Sequence, residues 1–92
     1  MEIVETRHRK VVFKDDAGNK FVVKFVSAGL SYVVPRVYII KKLWKFEYPS
    51  LVYDGHALSR ISFESYEKCR VESIADSVLE DAIKYLKSWG YM

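Results

Sequence analysis

The chain is 92 residues long, half of them hydrophobic, with seven Tyr, five Phe, two Trp and a formal net charge of +3. That leaves room for one domain, 1–92, with enough large apolar side chains to form a core without disulfides or a structural metal. No stretch approaches the roughly 18 uninterrupted apolar residues of a membrane span, Met1–Glu5 has neither the basic nor the apolar region of a signal peptide, and the single cysteine, Cys69, excludes an intrachain disulfide and fits a reducing, cytoplasmic setting.

Residues 2–14 and 20–27 read as a hairpin. Phe21, Val23 and Phe25 alternate with Lys20, Val22 and Lys24, the period of a strand with one strongly apolar face. Between the two segments, Asp15-Asp16-Ala17-Gly18-Asn19 is built from residues that tolerate positive φ or cap their own backbone, a turn of about five residues. A break at Ser27-Ala28-Gly29 leads into Val33-Val34, held extended by Pro35.

Arg36–Tyr48 supports two assignments. Its β-branched and aromatic content favours a strand, but Ile39-Ile40 and Lys41-Lys42 break strict alternation. On a helical wheel Val37, Ile39, Ile40, Leu43, Trp44 and Phe46 gather on one half, with Tyr38, Lys41, Lys42 and Lys45 on the other, and Pro35 falls at a first helical position. Periodicity outweighs propensity in this reading, so a middle helix is expected over residues 36–47.

Leu51-Val52-Tyr53, Asp54-Gly55 and His56-Ala57-Leu58 read as a second hairpin around a two-residue turn. A strand follows from Ile61 to Val71, with Cys69 on its apolar parity and a possible bulge or break at Ser65–Lys68. The C-terminal helix runs from Ile74 to Trp89, with Ser73 as candidate N-cap, a stripe of Ile74, Ala75, Val78, Leu79, Ala82, Ile83 and Leu86, and Gly90 as its stop. The expected class is α+β: a small antiparallel sheet of two hairpins, with the C-terminal helix and the middle helix packed on one face. If Arg36–Tyr48 is extended instead, the order becomes five strands and one helix.

Charge is divided along the chain. Residues 1–48 carry ten Lys/Arg against five Asp/Glu, whereas residues 49–92 carry five against seven. Such a dipolar chain suits a polyanion on its basic side, or docking on a complementary copy of itself. His8, His56 and Cys69 have no metal-ligand spacing, and the 15–19 loop lacks the alternating ligands of a calcium loop. There is no nucleophile elbow, phosphate-binding glycine loop or dinucleotide fingerprint. No catalytic residue, metal or cofactor is therefore assigned, and a non-enzymatic binding module is expected.

Two kinds of partner compete. Aromatics at element ends (Tyr48, Tyr53, Trp89 and Tyr91) make a candidate protein interface, serving an adaptor, inhibitor or modulator or a homodimer, and this reading is preferred. The alternative is sequence-tolerant nucleic-acid binding through Arg7, Arg9, Lys10, Lys41, Lys42 and Lys45. Arg7–Lys10 is equally explained as the charged segment of an edge strand, and each lysine cluster as solvated surface.

Overall fold

The computed structural model describes residues 1–29, 31–54 and 61–90. Six strands, β1 (Glu2–Arg7), β2 (Lys10–Lys14), β3 (Lys20–Ala28), β4 (Tyr32–Leu43), β5 (Phe46–Asp54) and β6 (Ile61–Ser62), precede two helices, α1 (Phe63–Lys68) and α2 (Val71–Ser88). The first five strands form an antiparallel meander in sequence order, and β6 pairs with the start of β4 beyond the end of β5. The arrangement is α+β, and no helix among the described residues is long and apolar enough to cross a membrane.

The alternation of β3 sets the core. Phe21, Val23 and Phe25 share one face with Val11 and Phe13 of β2 and with Val33 and Val37 of β4, and all seven are buried. Ala75, Val78, Leu79 and Ala82 of α2 close over them, recurring at the spacing of one helical face. Each large side chain removed from water in this layer contributes about 1.5–3 kcal/mol. Gly90, at φ 77°, turns the chain out of α2, as the sequence predicts.

The loop at 15–19 is the expected turn. Asp15 accepts from the Asn19 backbone N–H through Oδ1 at 2.7 Å, and from the Gly18 N–H through its carbonyl at 3.1 Å, with Gly18 at φ 86°. The amide of Asn19 holds the Asp15 carboxyl below its ordinary pKa by hydrogen bonding its charged form. The first expected strand, however, is two. The chain reverses at His8-Arg9, so that Arg7 lies opposite Lys10 and β1 becomes an edge strand.

Residues 36–47 are not a helix. They are the outer half of β4, a two-residue turn at Trp44-Lys45, and the start of β5. Their β-branched content decides the matter because β3 offers a ladder on one side and β5 on the other, so both edges of β4 can be satisfied at once. Pro35, expected at a helix N-terminus, is buried inside β4 opposite Phe25. It sits where β5 has ended at the Arg36–Asp54 pair and β6 has not yet begun at Val33–Ile61, a gap in which a missing N–H breaks no ladder bond.

Three further expectations change. The strand expected from Ile61 to Val71 stops at Ser62, whose hydroxyl accepts from the Ser65 N–H at 3.2 Å and starts α1 instead. Cys69 is therefore exposed at the end of α1 rather than buried on a strand. The N-cap of α2 is Arg70 rather than Ser73, and it makes no side-chain cap. Leu51-Val52-Tyr53 is extended but pairs with β4. The Asp54-Gly55 turn and the His56-Ala57-Leu58 strand of the expected second hairpin lie, apart from Asp54, outside the described residues.

Candidate functional site

Residues directly opposite one another in an antiparallel ladder project to the same face. With Val11, Val23 and Val37 pointing at α2, their neighbours along each strand point to the other side. There the register aligns Arg7 with Lys10, Lys10 with Lys24, and Lys24 with Arg36, with Asp54 at the far end. Four cationic side chains thus cross four strands in one row, spanning about 15 Å at the usual interstrand spacing. A second pair, Lys14 opposite Lys20, lies on the same face nearer the 15–19 turn, with Glu2 of β1 opposite Lys14 on its other side. Between them, Val12, Val22 and Tyr38 form an apolar strip, and Val12 and Val22 are buried.

Like charges placed directly opposite destabilise a sheet. Only the ends of the row are neutralised among the described residues. Glu5 accepts from Arg7 Nε at 2.6 Å, and Asp54 lies 3.7 Å from Arg36 Nε, beyond hydrogen-bond length. The Glu5 carboxyl is held below its ordinary pKa first by the Arg7 hydrogen bond, then by the charges of Arg7 and Lys10. Lys10 and Lys24, in the middle, form no salt bridge among the described residues, although the Lys10 charge reaches Glu5; Lys24 Nζ lies 5.7 Å from the centre of the Tyr38 ring.

The turn that sets Arg7 against Lys10 is anchored from the opposite side. The Tyr66 hydroxyl, carried by α1, donates to the His8 carbonyl at 2.9 Å, and its ring packs on Phe25 with centroids 5.3 Å apart. Burial raises the Tyr66 pKa above its ordinary value. Arg9 turns away from the row, donating from Nη1 to Ser27 Oγ at 2.8 Å.

Beyond Ile40, β4 and β5 continue past the start of β3 as a two-stranded ribbon, and every residue from Lys41 to Pro49 is exposed. Leu43 faces Phe46, Lys41 faces Tyr48, and Lys42 faces Glu47 with an ion pair of 3.6 Å. At the tip Trp44 is 93 % exposed, Phe46 74 % and Leu43 65 %. Trp44 adopts φ 60°, alone among the described non-glycine residues, at the first position of a two-residue turn where Gly is preferred. Such a backbone costs a bulky residue about 1–3 kcal/mol. A cleft of about 730 Å³ between the ribbon base and the 15–19 turn is lined by Lys14, Lys20, Lys41 and Lys42, linking the basic face to the ribbon.

The aromatic residues expected at an interface separate. Tyr53 and Trp89 are joined through Tyr85, with ring centroids 5.7 Å and 6.1 Å apart along the chain of three. Desolvation, with the charge of Asp81, raises the Tyr53 pKa. Tyr48 stands on the ribbon outside that ring chain, and Tyr91 lies outside the described residues. The six expected basic residues also divide, Arg7 and Lys10 entering the row, Lys41, Lys42 and Lys45 the ribbon, and Arg9 neither. Lys24 and Arg36 are members that the six expected residues do not include; the strand parity that Lys24 shares with Arg36 is the signal that exposes them once β4 is extended.

The α2 side carries the opposite sign, with Asp76, Glu80 and Asp81 exposed and Glu72 paired with Arg70 at 2.9 Å. Among the described residues no group of three His, Cys, Asp or Glu side chains is placed to hold a metal ion. No family model matches the chain, and no curated protein or solved structure shows significant similarity to it.

Proposed function

We propose that this protein is a non-enzymatic, cytoplasmic binding module whose open sheet face holds the phosphate backbone of a nucleic acid. One observation carries the reading: the row Arg7–Lys10–Lys24–Arg36, assembled from four strands in direct register on the face that α2 leaves uncovered. The row works against folding, and a polyanion laid across it reverses that sign by giving each cation a phosphate. Among the described residues the charged row presents cations across strands rather than a helix aimed at base edges, so binding is electrostatic and tolerant of sequence. The acidic α2 side orients the approach by repelling the same ligand.

Fluorescence anisotropy of a labelled oligonucleotide across a salt series tests this. Four phosphate contacts to a single strand give a log–log slope of roughly −3. A salt-independent affinity, or no binding at low salt, overturns it.

A second reading has its own support. The Tyr53–Tyr85–Trp89 ring chain, with Trp89 65 % exposed, suits a protein partner or a second copy of this chain. Light scattering over a hundredfold concentration range, repeated with Trp89→Ala, tests the homodimer; a monomer throughout contradicts it.

A further inference from the structure

The ribbon is charged like the basic row but built differently. Lys41, Lys42 and Lys45 surround a tip on which Leu43, Trp44 and Phe46 stand in water. Trp44 is nine-tenths exposed, so its ring packs on little within the chain, yet it occupies a turn position that favours glycine. A large ring presented there, at a cost to the turn, is available to something outside the chain. That partner is anionic, because the tip is flanked by three lysines and only Glu47 opposes them. The cleft lined by Lys14, Lys20, Lys41 and Lys42, with Glu47 as its one carboxylate, brings the Lys14–Lys20 pair of the sheet face beside the lysines of the ribbon.

We infer that Trp44 is a base-stacking residue and that the ligand is a single-stranded nucleic acid, its phosphates following the lysines while an unpaired base lies on the indole. The inference rests on the proposed nucleic-acid reading and adds the strand state and the residue that selects it. In a duplex the base faces are stacked on their neighbours, so an indole at a ribbon tip meets only edges and backbone; in a single strand the faces are open. Stacking is indifferent to base identity, in keeping with a surface that reads charge rather than sequence. Trp44 then adds affinity without adding a charge, which separates its contribution from that of the lysines.

Binding of a labelled oligothymidylate and of a duplex of equal length is compared for the wild-type chain, Trp44→Ala, Trp44→Phe and the double variant Lys10→Gln/Lys24→Gln. The expected result is a five- to hundredfold loss of single-strand affinity in Trp44→Ala, with an unchanged salt slope, little change for the duplex and substantial retention in Trp44→Phe. In a Trp89→Phe background, where Trp44 is the single tryptophan, its fluorescence is quenched on saturation with the strand. Unchanged single-strand affinity in Trp44→Ala, while the lysine double variant weakens, overturns the stacking role and leaves the basic face standing. Failure of the wild-type chain to bind either nucleic acid overturns both. A blue shift of Trp44 emission with phosphatidylserine vesicles, without response to the oligonucleotide, overturns the inference in favour of a bilayer surface.

Discussion

The two faces of this sheet are made from the same strands and follow opposite rules. Toward α2, opposed side chains are apolar, buried and mutually supportive: Val11, Val23 and Val37 in one row, and Phe13 beside Phe21 in the next. On the open side, two sets of opposed side chains share a positive charge, Arg7, Lys10, Lys24 and Arg36 in one row and Lys14 beside Lys20 in another, with the apolar Val12, Val22 and Tyr38 between them and Glu2 opposite Lys14 at the edge. The first face stabilises the fold through burial throughout, whereas on the second the like-charge rows cost stability and are tolerated because burial elsewhere is sufficient. Substitutions on the two faces should therefore differ in sign as well as in size.

The largest effect belongs to the covered face. Val78→Asp places an unpaired carboxylate between α2 and the sheet and should cost several kcal/mol in urea denaturation. Wild-type stability in that variant would mean that α2 does not cover the sheet.

Tyr66→Phe comes next. It leaves the His8 carbonyl without its donor and should cost about 1 kcal/mol at neutral pH. The raised pKa of Tyr66 carries a sign: the folded state holds the proton more tightly than the unfolded chain, so this contribution is complete below the unfolded tyrosine pKa of about 10 and is lost as pH rises through the folded value. Urea titrations from pH 8 upward should show a shallower alkaline decline in Tyr66→Phe than in wild type, with Tyr53 supplying what remains.

Trp44→Gly should stabilise the chain by about 1 kcal/mol, because it relieves a positive φ and forfeits little packing. Loss of stability there would show that the indole packs within the chain after all.

The smallest effect is on the open face. Lys10→Gln removes a charge opposed on both sides and should raise stability by a few tenths of a kcal/mol at low salt, a gain that fades as salt is added. The same variant should bind nucleic acid more weakly and lower the salt slope by about 0.7. Stability and affinity moving together would break the contrast between the faces.

The covered face was legible in the sequence and the open face only in part. Phe21, Val23 and Phe25 alternate cleanly, and the α2 stripe recurs at helical spacing, because each has one buried side. β4 hid itself because apolar residues occupy both of its faces, Val33 and Val37 toward α2, Val34 and Tyr38 on the open side, and because its outer end carries Leu43 and Trp44 into water. Burial on two sides and exposure of apolar residues both erase period 2, and what was left resembled a helical wheel. The lost strand concealed the row, since Lys24 and Arg36 become neighbours only when β3 and β4 pair. Lys41, Lys42 and Lys45 were visible as a cluster, but the ribbon that carries them and the backbone of Trp44 are consequences of that same pairing.

Titration of the isotope-labelled protein with an oligothymidylate, read by backbone and side-chain NMR shifts, tests the claim about the two faces most directly. The shifts should concentrate at Arg7, Lys10, Lys24, Arg36 and Tyr38 and along Lys41–Phe46, and leave the outer side of α2 (Asp76, Glu80, Lys84) unmoved. Shifts centred on α2 and the Tyr85–Trp89 rings, with the row unperturbed, would contradict it.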